Sequence, residues 1–149
     1  MILSGKQLTL CVVLGVLLGT GMIATHTGPG LAADVANTPH SRNTVRQNDL
    51  NTLAQALAQY KTDHTAFPVK LPATDTPICT SAGQDCTSKH YADLSFLITG
   101  GDYLTAIPVD PGQAVGLWAS GYNISQLPDG TIRLTAPQAE AGATISVVR

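Results

Sequence analysis

The sequence predicts an α+β protein with an N-terminal transmembrane helix, followed by an amphipathic helix packed on a small C-terminal antiparallel sheet. An uncharged apolar run extends from Leu8 to Ala24, and a polar stretch with helical periodicity extends from Arg42 to Asp63. The last third of the chain alternates strand-like segments with turn residues. A helix followed by antiparallel strands is typical of the α+β class, and the length left beyond the apolar run suits one compact domain.

The charge balance argues against a nucleic-acid-binding protein. The formal net charge is -2, and the lysines and arginines are scattered singly along the chain. Binding along a phosphate backbone needs a basic stripe, which this pattern does not provide. Charged residues make up 12% of the sequence, whereas soluble domains usually carry about 25%. This low share reflects the apolar run and a surface rich in Thr, Ala, Gln and Ser.

The apolar run from Leu8 to Ala24 has 17 residues and no charge. As a helix it would extend about 26 Å, slightly less than the ~30 Å hydrocarbon core of a bilayer. Lys6 precedes the run and the next basic residue is Arg42, so the positive-inside rule places the N-terminus in the cytoplasm and the remainder outside. Three interpretations stay open: a membrane anchor that is uncleaved or minimally cleaved, a secretory signal removed within residues 30–36, and a buried core helix.

Gly and Pro residues separate the apolar run from the amphipathic stretch. Gly28, Pro29, Gly30 and Pro39 lie between them, and both residue types disfavour one continuous helix. The chain therefore divides into three predicted regions: a membrane segment at residues 1–26, a flexible linker at residues 27–41 and a globular head at residues 42–149.

The stretch from Arg42 to Asp63 predicts the clearest helix of the chain. Apolar residues recur in it mostly at intervals of three or four, which places them on one face: Val45, Leu50, Leu53, Leu57 and Tyr60. Ser41 is the expected N-cap, and Arg46 and Asp49 are spaced to pair across one turn. The helix should end before Phe67-Pro68, because a proline disfavours helical backbone at the preceding residue.

Beyond Pro68 the chain is rich in turn residues and contains two cysteines, Cys79 and Cys86. Their position in a loop outside the cytoplasm favours a disulfide between them. A zinc site is the alternative, but it would need further ligands, and His90 is the only nearby candidate. A short helix is predicted from Ser88 to Thr99, with Gly100-Gly101 ending it.

The last third predicts a small sheet that covers the apolar face of the helix. A hairpin is expected around Pro128-Asp129-Gly130, because Pro fixes φ and Gly accepts positive φ in such a turn. Within the second arm of the hairpin, apolar and polar residues alternate, which predicts one buried and one exposed face. The expected strands are Val115 to Ala119, Tyr122 to Leu127, Thr131 to Ala136 and Ala143 to Val148.

Two motifs in the order observed here give the chain a likeness to a known family. The first runs from the amphipathic stretch into an aromatic-proline pair and consists of Arg46, Asp49, Leu50, Leu53, Ala56, Leu57, Tyr60, Asp63, Phe67 and Pro68. The second begins at a glycine and consists of Gly101, Tyr103, Leu104, Ile107, Pro108, Asp110 and Pro111. With the apolar N-terminus and the terminal sheet, these motifs resemble type IV pilins and the pseudopilins of type II secretion and related systems.

The resemblance implies a subunit that is stored in a membrane and associates with other pilin-like subunits or with their assembly machinery. It implies leader cleavage between Gly5 and Lys6, although Lys6 stands where the family usually has Phe or Met. Leu10 occupies the place where the family carries a glutamate that helps subunits dock. Without that carboxylate, the N-terminal helix would associate with its neighbours by packing alone. The residues expected to serve assembly or packing are Leu10, Leu14, Leu17, Leu50, Leu53, Leu57 and Tyr60.

The sequence shows no catalytic set. Its four histidines, at positions 26, 40, 64 and 90, have no Ser, Cys or carboxylate at a motif spacing. We therefore expect no enzymatic activity and no cofactor. The expected function is that of a structural pilin-like or pseudopilin subunit of a type IV pilus or a related secretion or uptake filament. It would be a single-pass protein of the cell membrane with an extracellular C-terminal domain, or part of an extracellular filament. The alternative is a secreted or surface-tethered binding module that does not polymerise.

Overall fold

The computed structural model of the chain describes residues 37–80, 86, 88–114 and 117–149. The predicted membrane segment lies outside these residues, and so do the predicted cleavage point at Gly5-Lys6 and the packing residues Leu10, Leu14 and Leu17. Among the residues that the structure describes, none of the helices has the length and apolar character that crossing a bilayer requires.

Helix α1 extends over Pro39–Asp63. Its N-cap is Thr38, whose side-chain oxygen accepts a hydrogen bond from the Ser41 backbone N–H at 3.2 Å. The prediction of Ser41 as the cap is therefore wrong. The helix begins earlier because Pro39 suits its first turn, where the missing N–H costs nothing and φ is already helical. At the other end, the His64 backbone N–H donates to the Tyr60 carbonyl and the helix stops.

The predicted apolar face of α1 is confirmed for most of its residues. Leu50, Leu53 and Leu57 are buried, and Tyr60 is half-buried against the core. Val45 was expected on this face but is 43% exposed. Arg46, one position on, turns inward instead and is almost completely buried. The first turns of the helix thus contribute a charge to the interior where an apolar residue was predicted.

Four antiparallel strands form one sheet in the order β1-β2-β3-β4. The strands are β1 at Thr76–Cys79, β2 at Ala119–Gln126, β3 at Ile132–Thr135 and β4 at Ser146–Val148. The sequence did not predict β1, because its second residue is Pro77 and prolines surround it. A proline is tolerated in an outer strand of a sheet, and β1 is the first strand in the order.

The hairpin between β2 and β3 is confirmed. Gly130 has a φ of 85°, its N–H donates to the Leu127 carbonyl at 2.9 Å, and the Leu127 N–H donates to the Thr131 carbonyl at 2.8 Å. Ile132 and Leu134 are buried, as the alternation along β3 predicted. The strand predicted from Val115 to Ala119 is wrong for its described residues before Ala119, because Leu117 and Trp118 are not in a strand and Ala119 is the first residue of β2. Strand β4 begins at Ser146, later than the predicted Ala143.

The helix predicted from Ser88 to Thr99 is wrong over most of that range. The chain makes two single 3₁₀ turns instead, at Ser95–Leu97 and Thr99–Gly101. Before them, Ala92 forms a parallel bridge with Ile78, because its N–H donates to the Pro77 carbonyl and its own carbonyl accepts from the Cys79 N–H. Hydrogen bonds to β1 thus take the place of a helical turn at Ala92. Local helix propensity does not predict this, because the partner lies elsewhere in the chain.

The helix and the sheet enclose one hydrophobic core, and β2 follows the direction of α1. The Tyr122 hydroxyl, near the start of β2, reaches Asp49 in the first half of α1. Ile132 pairs with Gln126 at the end of β2 and shares a small apolar cavity with Lys61 in the last turn of α1. We call the end of the head where α1 and β2 begin the proximal end, and the end where they finish the distal end.

Candidate functional site

The two sequence motifs meet at a buried ion pair. Arg46 on α1 donates from Nε to Asp110 Oδ2 at 2.7 Å and from Nη2 to Asp110 Oδ1 at 3.0 Å. The two side chains are 1% and 0% exposed. A bidentate pair of this kind satisfies both charges and fixes their relative orientation. The pKa of Arg46 is raised, mainly because its guanidinium donates to Asp110.

Glu140 extends the ion pair into a network at the proximal end. Its carboxylate accepts from Arg46 Nη1 at 2.7 Å and from Arg42 Nε at 2.7 Å and Nη2 at 2.5 Å. These donors hold the pKa of Glu140 at about 2, with the hydrogen bond from Arg42 as the largest cause. Two arginines from one helix thereby bind carboxylates from two separate loops.

Asn43 joins the same network through backbone contacts. Its Nδ2 donates to the Glu140 carbonyl at 2.9 Å, and its Oδ1 accepts from the Glu140 N–H at 3.0 Å. The side-chain amide of Asn43 therefore forms hydrogen bonds with both the N–H and the carbonyl of Glu140, the same two groups that a paired β-strand would contact. Its Oδ1 also accepts from Arg46 Nη1 at 2.8 Å. This contact secures the segment after β3 against the start of α1.

The predicted pair between Arg46 and Asp49 is wrong. Asp49 instead accepts a hydrogen bond from the Tyr122 hydroxyl at 2.5 Å. Arg46 points instead to Asp110, which is 64 positions away in the sequence. Partial burial raises the pKa of Asp49 and, more strongly, that of Tyr122. The long-range partners prevail because a buried guanidinium needs a carboxylate inside the fold, whereas an exposed pair one turn away contributes only a few tenths of a kcal/mol.

Two glycines leave the space that the Asp110 loop requires. A Cβ on Gly112 would lie 3.2 Å from Arg46 Nη2 and from Asp110 Oδ1. Gly121 has a φ of 88°, and a Cβ there would lie 2.6 Å from Asp110 Cβ. At Gly121 the backbone can approach Asp110 this closely only without a side chain, whereas a Cβ at Gly112 would need its neighbours to shift slightly. Neither glycine belongs to the motif residues, and the sequence alone did not single them out.

A second junction of the two motifs lies at the distal end. The Tyr60 ring has its centroid 5.2 Å from that of Tyr103 and 4.7 Å from that of Phe96. Phe67 stacks on Tyr60 at 5.9 Å, and the Tyr103 hydroxyl donates to Asp63 Oδ2 at 3.0 Å. Tyr60, Asp63 and Phe67 come from the first motif, and Tyr103 comes from the second. Aromatic pairs of this geometry contribute about 0.5–1.5 kcal/mol each beyond burial.

The predicted disulfide is confirmed. Cys79 and Cys86 are bonded, with 5.7 Å between their Cα atoms, and both are buried. The bond closes a short loop at the end of β1. A zinc site at these cysteines is thereby excluded, because their sulfurs are bonded to each other. Within the described residues no group of three or more His, Cys, Asp or Glu side chains is arranged to hold a metal ion.

The structure brings together most of the motif residues, and of the predicted packing set it describes Leu50, Leu53, Leu57 and Tyr60. Leu50, Leu53 and Leu57 lie in the core of the head, where they contact the sheet. Sequence reasoning missed Glu140 and Asn43, which belong to neither motif. Comparison with known proteins found no matching protein family, no matching curated protein and no matching solved structure.

Proposed function

We propose that this chain is a structural, membrane-anchored subunit of pilin or pseudopilin type whose C-terminal head lies outside the cytoplasm. The observation that carries the proposal is that the two motifs behind the resemblance contact each other at both ends of the head. Arg46 of the first motif pairs with Asp110 of the second, and Tyr60 packs beside Tyr103. A long helix packed on a four-strand antiparallel sheet is consistent with a pilin-like head.

The role is proposed as structural because the charged side chains of the network hold elements of the head together. Arg42 and Arg46 bind Asp110 and Glu140 within the protein. The partners proposed are the membrane, other pilin-like subunits and their assembly machinery. The disulfide between Cys79 and Cys86 supports a position outside the cytoplasm, where such bonds persist.

Membrane fractionation combined with mass spectrometry of the mature N-terminus tests the anchor. A membrane-bound chain that starts at Lys6 supports leader processing, and one that keeps Met1 supports a simple tether. A chain that starts near Asp34 and is recovered outside the membrane contradicts the anchor. Leu14→Lys with Leu17→Lys should release the chain from the membrane, because two charges in the apolar run oppose insertion. Leu14→Ile with Leu17→Ile is the matched control.

Immunogold imaging of surface filaments tests polymerisation. Filaments that carry this protein along their length support a subunit. A chain that stays in the membrane of a host with an intact assembly system, and never enters filaments, contradicts polymerisation.

The alternative proposal is a secreted or surface-tethered binding module. An open groove of about 400 Å³ between residues 69–72 and 90–93 favours it. Lys70, His90, Asp93 and the half-buried Tyr91 line this groove, so its wall carries charges of both signs and an aromatic ring. Filaments decorated with the protein would contradict this alternative.

A further inference from the structure

Exposed apolar side chains are concentrated at the proximal end of the head. Among the described residues, six large hydrophobic side chains are exposed. Four of them are at or beside proximal elements: Val45, Val109, Leu117 and Trp118. The remaining two, Val69 and Val148, lie toward the distal end. Most of the exposed large apolar side chains among the described residues therefore lie at the end where the chain continues toward its N-terminal segment.

Hydrogen bonds locate these residues at the proximal end. Trp118 directly precedes β2, and its carbonyl accepts from the Thr80 N–H at 2.7 Å and from the Thr80 hydroxyl at 3.0 Å. Val109 precedes Asp110, whose N–H donates to the Ser120 carbonyl at 2.8 Å. Asp110 in turn binds Arg46 near the start of α1. The backbone is thus held by the sheet, while the side chains of Val109 and Trp118 remain 47% and 45% exposed.

The charged side chains in the first turns of α1 are neutralised within the protein. Arg46 is paired with Asp110, and Arg42 is paired with Glu140. Because each of these four groups has an opposite charge inside the protein, none of them needs a further charged partner. This lowers the free-energy cost of placing the proximal end against an apolar phase.

We propose that the proximal end rests on the bilayer surface, with Val109, Leu117 and Trp118 in the interfacial layer. This inference rests on the proposed membrane anchoring. Residues 25–36 separate the apolar run from Asn37, and twelve residues extend at most about 40 Å. Such a tether keeps the head at high effective concentration beside the membrane, so a few exposed apolar side chains suffice for contact with it. Trp is the side chain most suited to this layer, because it joins a large apolar ring to an N–H donor.

The full-length chain reconstituted in vesicles of phosphatidylcholine and phosphatidylglycerol provides the test. Trp118 is the only tryptophan of the protein, so the intrinsic fluorescence reports on this position alone. We expect its emission to shift to shorter wavelength on reconstitution and to lose intensity when the phospholipids carry bromine on their acyl chains. Leu117→Ser should weaken both effects, whereas Val148→Ser at the distal end should leave them unchanged.

A relocated tryptophan is the matched control. Trp118→Phe combined with Val69→Trp moves the fluorophore to an exposed distal position, where brominated lipid should not quench it. Equal quenching at both positions would overturn the proposed orientation.

Flotation of the vesicles separates the two proposals. If the chain floats with lipid but Trp118 is not quenched, the membrane contact of the head is wrong and the anchor stands. If the chain does not float, the proposed anchoring fails and this inference fails with it. An emission shift that grows with the ratio of protein to lipid, without quenching, would show that a second copy covers the patch and would overturn the lipid contact.

Discussion

Arg46 carries a charge that lies almost wholly inside the head, where Asp110 and Glu140 neutralise it. Moving a charge out of water costs several kcal/mol, and only well-aligned opposite charges offset that cost. The bidentate contact with Asp110 provides this alignment. The position could be predicted as helical from the sequence, but its burial could not, because its partners lie 64 and 94 positions away.

Arg46→Met should lower the free energy of unfolding by about 3–5 kcal/mol, because it leaves Asp110 buried without a counter-charge. Arg133→Met is the control, since Arg133 pairs with Asp75 at the surface and exposed pairs contribute about 0–1 kcal/mol. Urea unfolding followed by circular dichroism measures both variants. If both variants lose the same free energy of unfolding, the buried ion pair stabilises the fold no more than the surface pair does.

Glu140 should make stability depend on pH in the acid range. Its pKa falls from 4.5 to about 2 in the folded head, so folding favours the ionised form. Its contribution is complete above the unfolded pKa and is lost as the pH falls from about 4.5 to about 2. The difference in stability between the wild type and Glu140→Gln should therefore be constant above about pH 5 and shrink below it. A difference that is unchanged at about pH 2.5 would contradict the role of the carboxylate.

At the scale of elements, local chemistry decided α1 and the hairpin. The leucine spacing of α1 and the Pro-Asp-Gly turn act over a few residues, so the sequence predicted both. Strand β1 and the bridge at Ala92 depend on partners elsewhere in the chain. A short helix was predicted over the segment around Ala92, whereas tertiary pairing with Ile78 determined its conformation.

Two glycines with similar backbone angles allow the cost of backbone strain to be measured separately from the cost of steric crowding by an added side chain. Gly130 has a φ of 85°, and a Cβ there would meet no other atom within 4 Å, whereas Gly121 has a φ of 88° and Asp110 Cβ at 2.6 Å. Gly130→Ala should cost about 1–2 kcal/mol from the left-handed backbone alone. Gly121→Ala should cost about 1–3 kcal/mol more, because the methyl group crowds the Asp110 loop. Thermal and urea unfolding measure the difference, and equal costs would mean that the loop relaxes freely.

At the scale of the whole molecule, the motifs connect the helix to the loops on both ends of the sheet. The ion-pair network joins them at the proximal end, and the aromatic cluster around Tyr60 joins them at the distal end. The helix is thereby fixed in direction along β2. This orientation places the exposed Trp118 on the side from which the N-terminal segment continues.

The disulfide acts on the whole chain through its unfolded state. Cys79→Ala with Cys86→Ala should lower the free energy of unfolding by about 2–3 kcal/mol, because the bond closes a loop of about eight residues. A reducing agent should lower the stability of the wild type by a similar amount and leave the double variant unchanged. If the reductant destabilises both equally, the effect does not come from this bond.

The sequence by itself determined the α+β class, the buried leucines of α1, the hairpin and the cysteine pair, because spacing and turn chemistry act locally. The tertiary structure decided the cap at Thr38, strand β1 and the partners of Arg46 and Asp49. The physical reason is that a buried charge takes whichever carboxylate the fold brings into bidentate contact, and neither sequence distance nor helical spacing specifies which one that is.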